Sequence, residues 1–224
     1  MIPLSPQSQG RLQPFASLRG KTVIVFSAHC DDAAIGCGGT VQRIAKEAGD
    51  GCTRIGIVFS GGDNPSRADE EREAMAGLGV EMKQIYNFPD TKLPDHWFAI
   101  KQCMLTLREE IGSESIGLVL CPRLEDRHQD HRVIAENVWR IFRQHLILEY
   151  EIAKYEADLG QPNIYVSLDG GEAERKVKVL LESYPSRHCH HWWSADTFYS
   201  LMHLRGIESN CTYAEGLYGR KLVV

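Results

Sequence analysis

The fold is decided by the stretch TVIVFSAHCDD, residues 22–32. Its first five residues are β-branched or aromatic and carry no charge, which is typical of a buried strand in a parallel sheet. Three polar side chains follow at once, His29, Asp31 and Asp32. Because open α/β sheets bind their ligands where strands end and helices begin, we expect a functional site at the end of this strand.

The three polar residues have the composition of half a metal site. His29 and Asp32 can converge on one Zn²⁺ ion if the chain turns between them, since zinc accepts imidazole nitrogen and carboxylate oxygen. Neighbouring side chains point in different directions, so Asp31 is predicted to lie beside the ion and to act as a general base. The alternative is that Asp31 and Asp32 only cap a helix running from about Ala33 to Lys46.

A second polar cluster, CPRLEDRHQDHR at residues 121–132, follows another apolar run at residues 116–120. A catalytic zinc typically has three protein ligands and one open position, and His131 is the best third ligand beside His29 and Asp32. His128 is then predicted to lie over the open position, as an acid or as a donor to a developing oxyanion. We expect Asp130 to orient the His128 imidazole.

Both clusters resemble the signatures of the LmbE-like, or PIG-L-type, zinc-dependent deacetylases of N-acetylglucosaminyl compounds. The first family signature, Ala-His-Pro-Asp-Asp-Glu before a Gly-Cys-Gly-Gly-Thr run, corresponds to residues 28–33 and 36–40. The second, His-Pro-Asp-His-Arg, corresponds to residues 128–132. Cys30 and Ala33 stand where the family carries Pro and Glu, a difference that bears on substrate preference rather than on metal binding.

The resemblance implies hydrolytic removal of an acyl group, most simply acetyl, from the nitrogen of an amino sugar, with Zn²⁺ or another divalent ion such as Fe²⁺. It implies the ligand set and the roles given above, and it gives Arg67 the task of holding sugar hydroxyls. Asp90 and Trp192 are further substrate contacts expected from their positions, Trp192 within a His-rich and Trp-rich stretch at residues 188–193 that can be a sugar-stacking wall, a structural corner or a second metal site. Two alternatives stay open: an amidase acting on a non-sugar or thiol-conjugate amide, and a carbohydrate-binding module without catalysis.

Composition favours one domain over residues 1–224, with residues 1–20 as a peripheral segment. The net charge of −5 and the lack of basic runs argue against nucleic acid as a partner. No apolar run approaches about 18 residues and no secretory signal is seen, so we expect no membrane span and a cytoplasmic protein. Its seven cysteines lack paired spacing and are expected to be reduced thiols, and a homo-oligomer is compatible with all of these features.

Alternating apolar runs and amphipathic segments predict an α/β, Rossmann-like fold with a mainly parallel sheet and helices on both faces. The glycines at positions 36, 38 and 39 lack the spacing of a dinucleotide fingerprint, so nucleotide binding is not expected. The predicted strands are residues 22–27, 54–60, 81–87, 116–121 and 164–168. The predicted helices are residues 38–47, 68–78, 98–111, 131–145 and 171–181.

Overall fold

The computed structural model describes residues 14–222 and contains one seven-stranded sheet with helices on both sides. The strands are β1 (Thr22–Ser27), β2 (Thr53–Ser60), β3 (Glu81–Phe88), β4 (Ile116–Pro122), β5 (Leu146–Tyr150), β6 (Ile164–Leu168) and β7 (Tyr213–Tyr218). The helices are α1 (Asp32–Ala48), α2 (Pro65–Gly77), α3 (Trp97–Ile111), α4 (Gln129–Ile141), α5 (Gly170–Ser183) and α6 (Ala195–Glu208).

The strand order across the sheet is β3-β2-β1-β4-β5-β7-β6. Strands β1 to β5 pair in parallel, and β7 runs antiparallel between β5 and β6. The predicted α/β class with a mainly parallel sheet is therefore confirmed. Each of the five predicted strands is present, with ends that differ by one residue at most.

The two faces of the sheet bury different sets of helices, because successive side chains of a strand point to opposite sides. In β1, Val23 and Val25 pack in the core beneath α1, α2, α5 and α6. Ile24 and Phe26 point the other way, into a second core beneath α3 and α4. The prediction of helices on both faces is thus confirmed.

Three elements were not predicted from the sequence: β5, β7 and α6. In addition, Phe15 and Leu18 lie in a short 3-10 helix, are buried, and belong to the core around α1. Residues 14–18 are therefore not peripheral, while residues 1–13 of the predicted peripheral segment lie outside the described residues. None of the helices within residues 14–222 has the length and hydrophobicity that a membrane crossing requires.

The strand order places the ends of β1 and β4 beside one another at the point where the chain reverses its direction of winding. From β1 the chain proceeds outward through β2 and β3, then returns to add β4 on the other side of β1. Val25 of β1 pairs with Leu120 of β4, so the loops that follow these strands leave the sheet next to each other. Such a switch point is the usual ligand site of an open α/β sheet.

A buried carboxylate of strand β7 holds helix α1 against the sheet. Cys37 interrupts the helical backbone, and the carboxylate of Glu215 in β7 accepts hydrogen bonds from the backbone N–H groups of Gly39 and Thr40 at 2.7 and 2.6 Å. Lys176 completes the charge balance, 2.6 Å from Glu215. The Cys37 side chain is fully buried in the core, as expected for a cysteine acting as a small apolar residue.

Close packing at Gly36 gives a test of how α1 is seated. A Cβ atom at position 36 would overlap the ring of Tyr150, which is fully buried and donates a 2.7 Å hydrogen bond to the Phe26 carbonyl. We expect Gly36→Ala to lower the free energy of unfolding by about 1–3 kcal/mol in urea denaturation, as overpacking does. Gly170→Ala is the matched control, because a Cβ there meets no atom within 4 Å. Equal stability of the two variants would contradict this account.

Candidate metal centre

The loop after β1 directs His29 and Asp32 toward the same space. The Asp32 carboxylate turns back over the loop, where its Oδ2 accepts hydrogen bonds from the backbone N–H groups of Ala28 and His29 at 3.0 and 2.8 Å. Helix α1 begins at Asp32, and Asp31 occupies the position before it with φ of 93°, an uncommon backbone for a non-glycine residue. The Asp31 side chain makes no capping hydrogen bond, so the alternative that this pair serves only as a helix cap is wrong.

The loop after β4 supplies two imidazoles from the start of α4. His128 precedes the helix, and His131 lies in its first turn with its side chain almost completely buried. The His131 Nε2 atom faces the His29 Nδ1 atom at 3.3 Å, across 102 residues of sequence.

Three predicted ligands bring their donor atoms together. The two oxygens of the Asp32 carboxylate face the two imidazoles, with Oδ1 3.4 Å from His131 Nε2 and Oδ2 3.7 Å from His29 Nδ1. Four donors held tetrahedrally about 2.0–2.1 Å from a zinc ion are separated from each other by about 3.4 Å. The geometry of His29, Asp32 and His131 therefore fits a small divalent ion. His128 also offers a ring nitrogen within 4.8 Å of the other two imidazoles, so it is a neighbouring candidate ligand.

The imidazoles of His29 and His131 each have a carboxylate on their other nitrogen. Asp130 lies 3.0 Å from His29 Nε2, and Asp126 lies 2.9 Å from His131 Nδ1. Carboxylates in this position fix the ring orientation and raise the basicity of metal-ligating histidines. The prediction that Asp130 orients His128 is wrong, because its carboxylate binds His29 together with the backbone N–H groups of Thr91 and Leu93.

The electrostatics of the pocket favour a cation. Burial alone would lower the pKa of His131, but the Asp32 and Asp126 carboxylates outweigh it and raise this pKa to about 9. For His29 the cost of burial is likewise exceeded by Asp130, Asp32 and Asp90, so its pKa is raised. The surrounding carboxylates therefore favour positive charge at these imidazoles, and a divalent ion bound there would supply that charge in place of protons.

His128 has the opposite character. Burial and the nearby positive charges of His131 and His29 lower its pKa, so its ring is kept neutral. Its Nδ1 atom accepts a hydrogen bond from the Asp130 backbone N–H at 3.3 Å. A neutral ring that accepts at Nδ1 carries its proton on Nε2, which is then available as a hydrogen-bond donor.

Asp31 is held by residues from two other parts of the chain. Its Oδ2 atom accepts hydrogen bonds from the guanidinium groups of Arg67, at 3.2 Å, and Arg187. Its backbone N–H donates to the buried carboxylate of Glu71 at 2.7 Å, which supports the unusual backbone at this position. Burial raises the pKa of Asp31 and the two arginines oppose that rise, with a net increase.

The predicted substrate contacts have different surroundings. Arg67 directs its donors at protein atoms, among them the Cys30 carbonyl at 2.7 Å. Asp90 is mostly exposed, with its carboxylate 2.9 Å from His29 Nε2. Trp192 is half-buried and donates to the Tyr155 hydroxyl at 2.9 Å. A substrate-binding role for each of these residues stays a prediction.

Of the stretch at residues 188–193, only Trp193 is buried, and the role of the stretch stays a prediction. Trp193 is buried against Tyr184 and Phe198. Within residues 14–222, the groups that bring metal-binding atoms together do not include the histidines at 188, 190 and 191.

Three residues of the site were missed from the sequence: Asp126, Glu71 and Arg187. Asp126 stands in the second cluster, and the preference of metal-ligating histidines for a second carboxylate could have pointed to it. Glu71 and Arg187 carry no local signal, because their contacts with Asp31 span 40 and 156 residues.

The protein is therefore an α/β protein with a mainly parallel sheet. A pocket of histidine and carboxylate side chains lies at the switch point of that sheet. The chain belongs to the PIG-L family, described as GlcNAc-PI de-N-acetylase, whose model matches residues 24–142. Both predicted motifs lie in that range, and the family resemblance inferred from them is confirmed.

Relatives with curated descriptions match about half of the chain. "Uncharacterized deacetylase YaiS" of Escherichia coli (strain K12) is 29% identical over 124 residues, 51% of this chain and 64% of that protein. Diacetylchitobiose deacetylase of Thermococcus kodakarensis is 27% identical over 136 residues, 54% of this chain and 48% of that protein. The match thus spans 48% to 64% of the length of these relatives.

The fold is shared over nearly the whole chain with a solved structure, that of the conserved protein TT1542 from Thermus thermophilus. The TM-score is 0.72 at 21% identity, covering 90% of this chain and 96% of the other.

The buried carboxylate of Glu71 generates a prediction on pH. Burial is the main cause that raises its pKa from 4.5 to about 7. The folded protein therefore holds this proton more tightly than the unfolded chain, and Glu71 costs stability progressively as pH rises from about 4.5 to 7. We compare the free energies of unfolding of Glu71→Gln and wild type at each pH. The difference between them should shift by about 3 kcal/mol in favour of the variant as pH rises from 4.5 to 8.

The measurement is urea denaturation of both proteins across this pH range. Glu73→Gln is the control, because Glu73 lies on the same helix and is exposed. Parallel stability curves for wild type and Glu71→Gln would show that Glu71 is ionised in the folded protein at all of these pH values.

Proposed function

We propose that this protein is a zinc-dependent hydrolase that removes the acetyl group from the nitrogen of an N-acetyl amino sugar or its conjugate. The observation that carries the proposal is the convergence of His29, Asp32 and His131, with Asp31 next to Asp32 in the chain and the centroid of the His128 ring 4.6 Å from that of His131. Family membership and the similarity to a diacetylchitobiose deacetylase support the choice of an N-acetylated sugar as substrate.

His29, Asp32 and His131 would hold the ion, and Asp130 and Asp126 would keep both imidazoles oriented toward it. A divalent ion bound there supplies a Lewis acid for the amide carbonyl and lowers the pKa of a water molecule toward about 7. The donor set of two imidazoles and one carboxylate is one that zinc accepts, and Fe²⁺ is also compatible with it.

Asp31 accepts the proton of the attacking water. The hydrogen bonds that its carboxylate receives within residues 14–222 all fall on Oδ2, which leaves Oδ1 to take the proton. His128, whose ring centroid lies 4.6 Å from that of His131, would use Nε2–H to stabilise the oxyanion that forms when the amide carbonyl is attacked. The leaving nitrogen then takes up the proton that Asp31 accepted and departs as an amine, and acetate is released.

The decisive experiment compares Asp31→Asn with wild type on a panel of N-acetylated sugars, scored for released acetate. Loss of a general base costs about 10²–10⁴-fold in rate, so we expect turnover to fall at least a hundredfold. Zinc content, measured by elemental analysis, should stay at the wild-type level because Asp31 is not a ligand. A chelator should inactivate the wild type and added Zn²⁺ should restore it.

Turnover of Asp31→Asn close to wild type would overturn the assigned base, and insensitivity to chelators would overturn the metal dependence. Hydrolysis restricted to non-sugar amides would point to the amidase alternative. Sugar binding without acetate release would indicate a carbohydrate-binding module.

A second prediction separates the roles of the two histidines on α4. His128→Ala should lower kcat by about 10²–10³-fold, the usual loss for an oxyanion donor, with little change in zinc affinity. Competition with a fluorescent zinc chelator measures that affinity, and His203→Ala, a change at an exposed histidine on α6, is the control. Loss of zinc from His128→Ala would mean that His128 is a metal ligand in place of one of the three residues assigned to that role.

A further inference from the structure

Arg187 covers Asp31 from the solvent side. It ends a short 3-10 helix after α5, and its Nε donates to Asp31 Oδ2. The Arg187 side chain is 29% exposed, whereas that of Asp31 is 7% exposed. The Arg187 guanidinium is therefore the more accessible partner in this ion pair.

Asp31 has other partners besides Arg187. Arg67 contacts the same carboxylate oxygen at 3.2 Å and also donates to the Cys30 carbonyl of the same loop. Glu71 accepts a hydrogen bond from the Asp31 backbone N–H. Asp31 therefore keeps contacts to its main chain and its side chain when the free groups of Arg187 bind a ligand.

The two arginines differ in how their charges are balanced. Arg67 lies 3.4 Å from the Glu70 carboxylate and donates to the Ser186 hydroxyl at 2.9 Å, so it has a second anionic partner besides Asp31. Arg187 has ionic contact with Asp31 alone among residues 14–222, and its Nη1 and Nη2 groups make no hydrogen bond to that part of the chain.

A guanidinium with one free edge is suited to a planar or tetrahedral anion, because its paired N–H groups match carboxylate and phosphate oxygens.

We propose that Arg187 is a specificity-determining residue that binds a carboxylate or phosphate group of the substrate through its free guanidinium edge. This inference rests on the proposed hydrolysis and narrows its substrate class to anionic N-acetyl amino sugars.

The test compares neutral N-acetylglucosamine with three anionic forms of the same sugar: its 1-phosphate, its 6-phosphate and N-acetylmuramic acid. We expect the zinc-loaded wild type to favour at least one anionic form by tenfold or more in kcat/KM. Arg187→Gln should reduce this ratio to near one, and Arg187→Lys should keep part of it. Arg72→Gln is the matched control, because Arg72 is exposed on α2 and pairs with Asp69. The phosphate and carboxylate substrates show which anion is taken.

Two outcomes would overturn the inference. One is a wild type that hydrolyses the neutral sugar as well as every anionic form. The other is an Arg187→Gln variant whose kcat falls equally on all substrates, which would mean that Arg187 only positions Asp31.

A binding experiment separates this inference from the proposed function. Calorimetry with glucosamine and glucosamine 6-phosphate measures anion preference without any turnover. If the wild type hydrolyses nothing but binds the phosphate form more tightly, and Arg187→Gln loses that difference, the anion site stands and the hydrolase proposal fails. If neither hydrolysis nor an anion preference is seen, both fail.

Discussion

Strands β1 and β4 are neighbours in a parallel sheet, and the site depends on that pairing. Parallel neighbours must be joined by long crossover connections, so the loops that follow them are distant in sequence even though they leave the same edge of the sheet. His29 and His131 are 102 residues apart and their ring nitrogens are 3.3 Å apart for this reason. Any slip in the register of β4 against β1 would move the second cluster away from the first.

The pairing brings more negative charge together than a folded protein tolerates without compensation. The carboxylates of Asp32, Asp126 and Asp130 are all buried, and Lys154, 2.9 Å from Asp126, supplies one positive charge. Unpaired buried charges are costly, so the remaining excess must be met by protonated imidazoles or by a bound cation. The same carboxylates that orient the histidines therefore also make the pocket selective for positive charge.

The sequence was informative wherever function coincides with a local pattern. His29, Asp32 and His131 each follow an apolar strand closely, so strand prediction placed them at one edge. Strand β7 was not predicted, because it carries Glu215, whose burial depends on Lys176 and Thr40 from elements far along the chain. Helix α6 was missed because its apolar residues are not confined to the buried face: Leu204 and Ile207 are exposed, whereas Arg205 is buried.

Residues that act through a distant contact were the least predictable. Asp130 stands two residues from His128, and that proximity favoured the wrong partner: its carboxylate reaches back across 101 residues to His29, while only its backbone N–H meets His128. Sequence spacing shows which residues share a loop. It does not show which way a side chain turns once a second loop packs against it.

The two sides of the pocket are kept chemically different by their surroundings. On the side of α2 and α5, arginines and a buried carboxylate hold Asp31, with one carboxylate oxygen left to accept a proton. On the side of α4, nearby positive charge lowers the pKa of His128, and a backbone N–H at Nδ1 leaves the proton on Nε2. A divalent ion held by His29, Asp32 and His131 would likewise put positive charge beside His128 and favour its neutral, donating form. The proton acceptor and the hydrogen-bond donor of the proposed reaction are thus set by contacts within the protein that do not depend on a bound substrate.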